Sequence, residues 1–174
     1  MRVSVLMLAG ITAVCLAGCD NFVGPIADAR KAIKAQLVDP DSAQFEGEVV
    51  TDYLFIGEKR FEGKSVCGYV NAKNRMGGYV GRSPYLYDTT QGASALMQPP
   101  TTNDLELLKL SISDQSSWKE KWLAIQTSCD FIDRWQRTCP ALMSLNQQDT
   151  SVRLCRAWLK KDSTTDSVLQ EISN

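Results

Sequence analysis

Residues 46–87, EGEVVTDYLFIGEKRFEGKSVCGYVNAKNRMGGYVGRSPYLY, carry the pattern from which a fold can be read. Val49, Val50, Tyr53, Leu54, Phe55 and Ile56 are mostly β-branched or aromatic, so 46–56 reads as a strand, and the polar run Gly57-Glu58-Lys59-Arg60 as its turn. A second strand over 65–72 and a third over 78–87 flank Asn74-Arg75-Met76-Gly77, a hairpin loop with glycine available for positive φ. Three antiparallel strands need a helix against them to stand alone. The preceding segment supplies one. Pro25 suits a first helical position, and Ile26, Ala29, Ile33 and Leu37 then recur at helical spacing until Asp39-Pro40 ends the helix.

Beyond Asp88 the composition changes. Residues 89–112 comprise a Thr/Ser/Gln/Gly-rich linker over 89–104, with Pro99-Pro100, and then a short apolar piece, Leu105 to Ile112, without a clear period. From Ser117 a capping-box pattern, Ser117-Trp118-Lys119-Glu120, opens a helix whose apolar face holds Trp118, Trp122, Ile125, Cys129 and Ile132. A second helix, near Thr150 to Lys161, makes 113–162 a helical hairpin, and 163–174 reads as a frayed tail. The expected fold is therefore α+β: an N-terminal helix on a three-stranded antiparallel sheet over 25–88, then a disulfide-linked α-hairpin.

The first residues set an address. Arg2 precedes an apolar run from Val3 to Leu16, and no acidic residue occurs before Asp20, the layout of a secretory signal too short to span a bilayer. Leu16-Ala17-Gly18-Cys19 resembles the bacterial lipobox. That likeness implies that 1–18 is a cleaved signal peptide, that Cys19 is acylated, and that 19–24 is a tether to the membrane. Asp20 and Asn21 resemble the signal that retains enterobacterial lipoproteins at the periplasmic face of the inner membrane. Removing Arg2 from the 19 basic residues leaves 18 against 20 acidic ones, a balance that does not recruit nucleic acid or act as a polybasic membrane patch.

Cysteine usage agrees with export. Once Cys15 leaves with the signal and Cys19 takes lipid, Cys67, Cys129, Cys139 and Cys155 remain, enough for two disulfides in any of three connectivities. We expect Cys139 with Cys155 across the helical hairpin and Cys67 with Cys129 between helix and sheet. The closest of these cysteines are ten positions apart and the chain has no histidine, so no metal site is expected.

Asp39-Pro40-Asp41-Ser42-Ala43-Gln44-Phe45 and the later run from Cys67 through Asn71, Lys73 and Asn74 to Gly77-Gly78-Tyr79 resemble a pattern of small proteobacterial exported proteins, D-P-x-S-A-x-F followed by C-G-x-V-N-x-K-N-x-x-G-G-Y. The likeness covers about 65 of the 174 residues. It implies a compact α+β domain and export, and it brings no reaction and no catalytic residue.

Without histidine there is no imidazole base for a nucleophile. Glu46, Glu48, Asp52 and Asp130 could serve a carboxylate-only hydrolase, but their spacing singles out no pair. Trp118 and Trp122, at i and i+4, read as core. No enzyme activity and no cofactor are expected. The expected role is a protein-binding module, as of an immunity protein against an envelope-directed toxin, with an accessory subunit of an envelope or secretion complex, or a peptidoglycan-binding or peptidoglycan-acting protein, as alternatives. Its contact residues would be Asn71, Lys73, Asn74 and Arg75 at the hairpin tip, beside an aromatic face that includes Tyr79, Tyr85 and Tyr87, and its partner an envelope protein. The same asparagines and glycines also have a purely structural reading, as turn residues.

Overall fold

A computed structural model describes residues 24–145, 150–160 and 164–173. Cys19, Asp20 and Asn21, with the rest of the expected leader and tether up to residue 23, lie outside the described residues. Helix α1 (Pro25–Lys34) has proline in its first turn, Asp28 early and Lys31 and Lys34 late, as the helix dipole favours. A short 3-10 turn, Pro40–Ser42, leads into an antiparallel sheet of β1 (Gln44–Ile56), β2 (Lys59–Asn71), β3 (Ser83–Asp88) and β4 (Ala93–Leu96), in that spatial order. Among the described residues, four α-helices follow, α2 (Thr102–Leu110), α3 (Gln115–Thr138), α4 (Thr150–Trp158) and α5 (Thr165–Ser173), with a 3-10 segment, Pro140–Leu145, between α3 and α4.

The sheet has helices on both faces. Strand alternation sends Val66 and Val70 of β2 and Tyr85 of β3 to one side, where they pack with Ala29 and Ile33 of α1. It sends Cys67, Tyr69 and Leu86 to the other, into a larger core with Ile132 and Trp135 of α3 and Leu154 of α4. Trp135 donates its indole N–H to the Tyr85 carbonyl at 2.8 Å, fixing α3 on the sheet. No helix among the described residues is long and apolar enough to cross a membrane.

One bulge changes the parity of β1. Glu46 pairs with Tyr69 and Val49 with Cys67, so β1 carries one extra residue there, and Gly47 takes φ 64°, which glycine adopts without strain. Glu48 is thereby brought to the α1 side. It accepts from Arg30 Nε at 2.9 Å and from the Tyr85 hydroxyl at 2.6 Å. A Cβ on Gly68 would lie 2.9 Å from the Tyr85 ring and hydroxyl, so the missing side chain is what lets the ring lie across β2 to reach Glu48. Burial, and then the bond to Glu48, push the Tyr85 phenol far above the usual tyrosine range, so it stays a proton donor.

The α+β class stands, and the sheet has four strands rather than three. The fourth, Ala93–Leu96, and the helix α2 both lie in the stretch expected as linker and unpatterned apolar segment. Four residues of Ala-Ser-Ala-Leu carry no strand signature, and α2 is started by a cap: Thr101 and Asp104 bond reciprocally to each other's backbone N–H. The third strand begins at Ser83, because residues 72–82 form a loop with a single bridge between Lys73 and Tyr79. Helix α3 starts two residues before Ser117, with the Asp114 side chain accepting from the Ser116 and Ser117 N–H groups in place of the expected box. The tail expected to fray contains α5, which buries Val168.

The disulfides also differ from expectation: they join Cys67 to Cys139 and Cys129 to Cys155. Ten helical residues put Cys129 and Cys139 about 15 Å apart along α3. Cys139, just past the end of the helix, meets Cys67 of β2, and Cys129, farther back along it, meets Cys155 of α4. Each bridge contributes about 2–4 kcal/mol.

Replacing Tyr85 with Phe leaves the nearly buried Glu48 carboxylate one donor short. We expect a loss of about 1.5–3 kcal/mol, read as a lower urea midpoint at unchanged slope under non-reducing conditions.

Candidate functional site: the 73–80 tip

The chain leaving β2 at Asn71 turns through residues 72–82 before β3, and side chains rather than a strand ladder hold this loop. Asn74 Oδ1 accepts from the N–H groups of Met76 at 2.9 Å and Gly78 at 3.1 Å. The Asn74 N–H donates to the Gly78 carbonyl and the Gly77 N–H to the Asn74 carbonyl, both at 2.9 Å. Asn71 Oδ1 accepts from the Gly81 N–H at 3.1 Å. Gly77, at φ 79°, supplies the reversal. An asparagine that satisfies two backbone donors at once serves as a local scaffold.

The other half of the scaffold comes from the turn after α1. Ser42 Oγ donates to the Asp39 carbonyl at 2.8 Å and accepts from the Lys73 N–H at 2.9 Å, so one hydroxyl links the Asp39-Pro40 turn to the tip. Gln44 Nε2 donates to the Tyr79 hydroxyl at 3.0 Å, and the Lys73 ammonium lies 5.7 Å from the centre of the Tyr79 ring. Two stretches that are distant in sequence, 39–45 and 67–79, thus meet in space.

What this scaffold presents is exposed. Met76 is 94% exposed, Tyr79 47% and Val80 46%, with Arg75 open beside them. Asn71 and Asn74, expected as contact residues, have their side-chain oxygens committed to the backbone. Tyr85, also expected there, is fully buried under α1, and Tyr87 is half-buried and packs against the same core. Tyr69 lies on the opposite face, 5.0 Å from Trp135. No single tyrosine face exists, because Tyr69 and Tyr85 belong to opposite sides of the sheet. Lys73, Arg75 and Tyr79 remain at the tip. Ser42 and Met76 are additions: only the Asp-Pro-x-Ser pattern hints at the first, and nothing in the sequence marks the second.

The four carboxylates considered for hydrolysis do not converge. Glu46 pairs with Arg82 at 3.2 Å, Glu48 is held by Arg30 and Tyr85 on the α1 side, Asp130 accepts from Gln126 on α3, and Asp52 is exposed on β1. Among the described residues, no group of three or more His, Cys, Asp or Glu could hold a metal.

Trp118 is half-buried and packs against the larger core, whereas Trp122 lies at the surface. They stack with ring centres 6.4 Å apart, and Trp122 is 37% exposed. Fully buried residues on α3 begin at Ile125. Trp118 and Trp122 line, with Ile112, Gln126, Trp158 and Thr164, an open cleft of about 570 Å³, in which the Trp158 indole N–H donates to Gln126 Oε1 at 3.0 Å.

Comparison of the chain with protein families, with curated proteins and with solved structures gives no match in any of the three.

Proposed function

We propose that this chain is a lipid-anchored envelope protein whose globular domain binds another protein through the 73–80 tip, without catalysis. The observation that carries the reading is the combination of exposed side chains and a hydrogen-bonded backbone at that loop. Arg, Tyr and Met are residue types enriched where proteins bind one another, and ordering them beforehand removes part of the entropic cost of association. In the proposed arrangement, Cys19 carries the acyl anchor, and Asp20 and Asn21 keep the protein at the periplasmic face of the inner membrane. A module of this kind can mask a toxin, as an immunity protein does, or join an envelope or secretion complex as an accessory subunit.

A second reading rests on the tryptophan cleft. Stacked indoles beside an amide and a threonine suit the apolar faces and hydroxyls of a sugar, which favours a peptidoglycan-binding role.

The tip is tested with Arg75→Glu and Met76→Ala, two exposed positions whose side chains hold none of the scaffold bonds described above. We expect unchanged melting and at least a tenfold loss of affinity for the partner recovered from envelope extracts. Unchanged affinity, with retention of the protein on purified peptidoglycan, would move the reading to the cleft. For the anchor, we expect Cys19→Ser to leave the membrane fraction after a salt wash, whereas continued sedimentation with membranes would refute acylation there.

A further inference from the structure

The side of the molecule bearing α1 carries a second recess. Ile26, Ala27, Arg30, Lys31 and Lys34 form one stripe of α1, and together with Ala43, Phe45 and Glu48 they line a cleft of about 740 Å³. That is within the range that holds small ligands, roughly 300–1,000 Å³. Its walls divide by chemistry. Ile26, Ala27, Ala43 and Phe45 are apolar, whereas Arg30, Lys31 and Lys34 are cationic.

The only carboxylate lining it is already neutralised. Glu48 is bonded by Arg30 and by the Tyr85 hydroxyl, and Arg30 also lies over the Phe45 ring at 5.4 Å from its centre. Among the described residues, neither Lys31 nor Lys34 pairs with a carboxylate. Two ammonium groups on one helical face thus border an apolar floor with no opposing charge left in the lining. With 18 basic and 20 acidic residues after the leader, the molecule as a whole does not attract anions, so any preference here is local.

We propose that the α1–β1 cleft binds an anionic amphiphile: a phosphate or carboxylate between Lys31 and Lys34, with a single alkyl chain along Ile26, Ala27, Ala43 and Phe45. The source that fits is the membrane itself. Five residue steps separate Cys19 from Gly24, at most about 18 Å of extended chain, so an acylated Cys19 would hold the cleft within reach of lipid headgroups. Only this choice of source rests on the anchor reading; the cleft chemistry stands without it.

The test uses the full chain purified in a non-ionic detergent and titrated calorimetrically with octyl phosphate below its micelle concentration. Inorganic phosphate, octyl glucoside and hexaglutamate serve as separate probes. We expect saturable one-to-one binding of octyl phosphate, at least tenfold weaker binding of each other probe, and a loss of tenfold or more in the Lys31→Gln/Lys34→Gln variant. Lys31→Arg/Lys34→Arg should retain the binding, which separates charge from any effect on folding. Absent or non-saturable binding, equal binding by the glutamine variant, or equal binding of inorganic phosphate or octyl glucoside would each overturn the proposal. Preference for hexaglutamate would overturn it in favour of an acidic peptide site. All of these outcomes are independent of whether Cys19 carries lipid.

Discussion

Burial of β2 on both faces is the constraint on which the rest of the structure depends. Its stretch from Ser65 to Val70 sends Val66 and Val70 under α1 and Cys67 and Tyr69 under α3, and every residue in it except Gly68 is therefore a packing residue on one side or the other. A strand covered twice cannot slip by one position without exchanging its two sets of side chains. The Cys67–Cys139 bridge pins one face to the end of α3, and the Glu48–Tyr85–Arg30 bonds pin the other to α1. Gly68 and Gly47 are the two concessions this arrangement requires, one to make room for a ring and one to turn a carboxylate inward.

From that anchored strand the proposed binding surfaces follow by position. The tip is the direct continuation of β2 past Asn71, so its base is as fixed as the strand. The α1–β1 cleft and the tryptophan cleft lie with α1 and with α3–α4, which the sheet separates, and neither shares a lining residue with the tip.

Part of this was legible in the residues. The change from helical spacing in 25–37 to β-branched runs after Glu46 marked α1 and β1, and the four cysteines beyond the expected leader and lipid site marked two disulfides. The pairing was not legible, because it depends on which part of α3 meets which neighbour. Strand β4 was hidden, since Ala-Ser-Ala-Leu has no strand preference and is held by pairing with β3 alone. Helix α5 was hidden because its apolar face makes sense only against the helices it packs on. At the tip, the polar residues were found but their division of labour was not. Asparagine reads equally as contact or scaffold until its acceptors are placed, and Tyr85 reads as surface or core until the second face of the sheet is known to be covered.

The central claim is that an exposed loop is held stiff by side-chain and backbone acceptors, and amide hydrogen exchange across residues 73–81 tests it most directly. The N–H groups of Lys73, Asn74, Met76, Gly77, Gly78, Val80 and Gly81 all have acceptors in the structure. The account predicts that they exchange well below the rate of an unstructured peptide, despite the exposure of Met76 and Tyr79. Exchange at the unstructured rate in the native, disulfide-bonded protein would contradict it, and with it the idea that the tip is formed before a partner arrives.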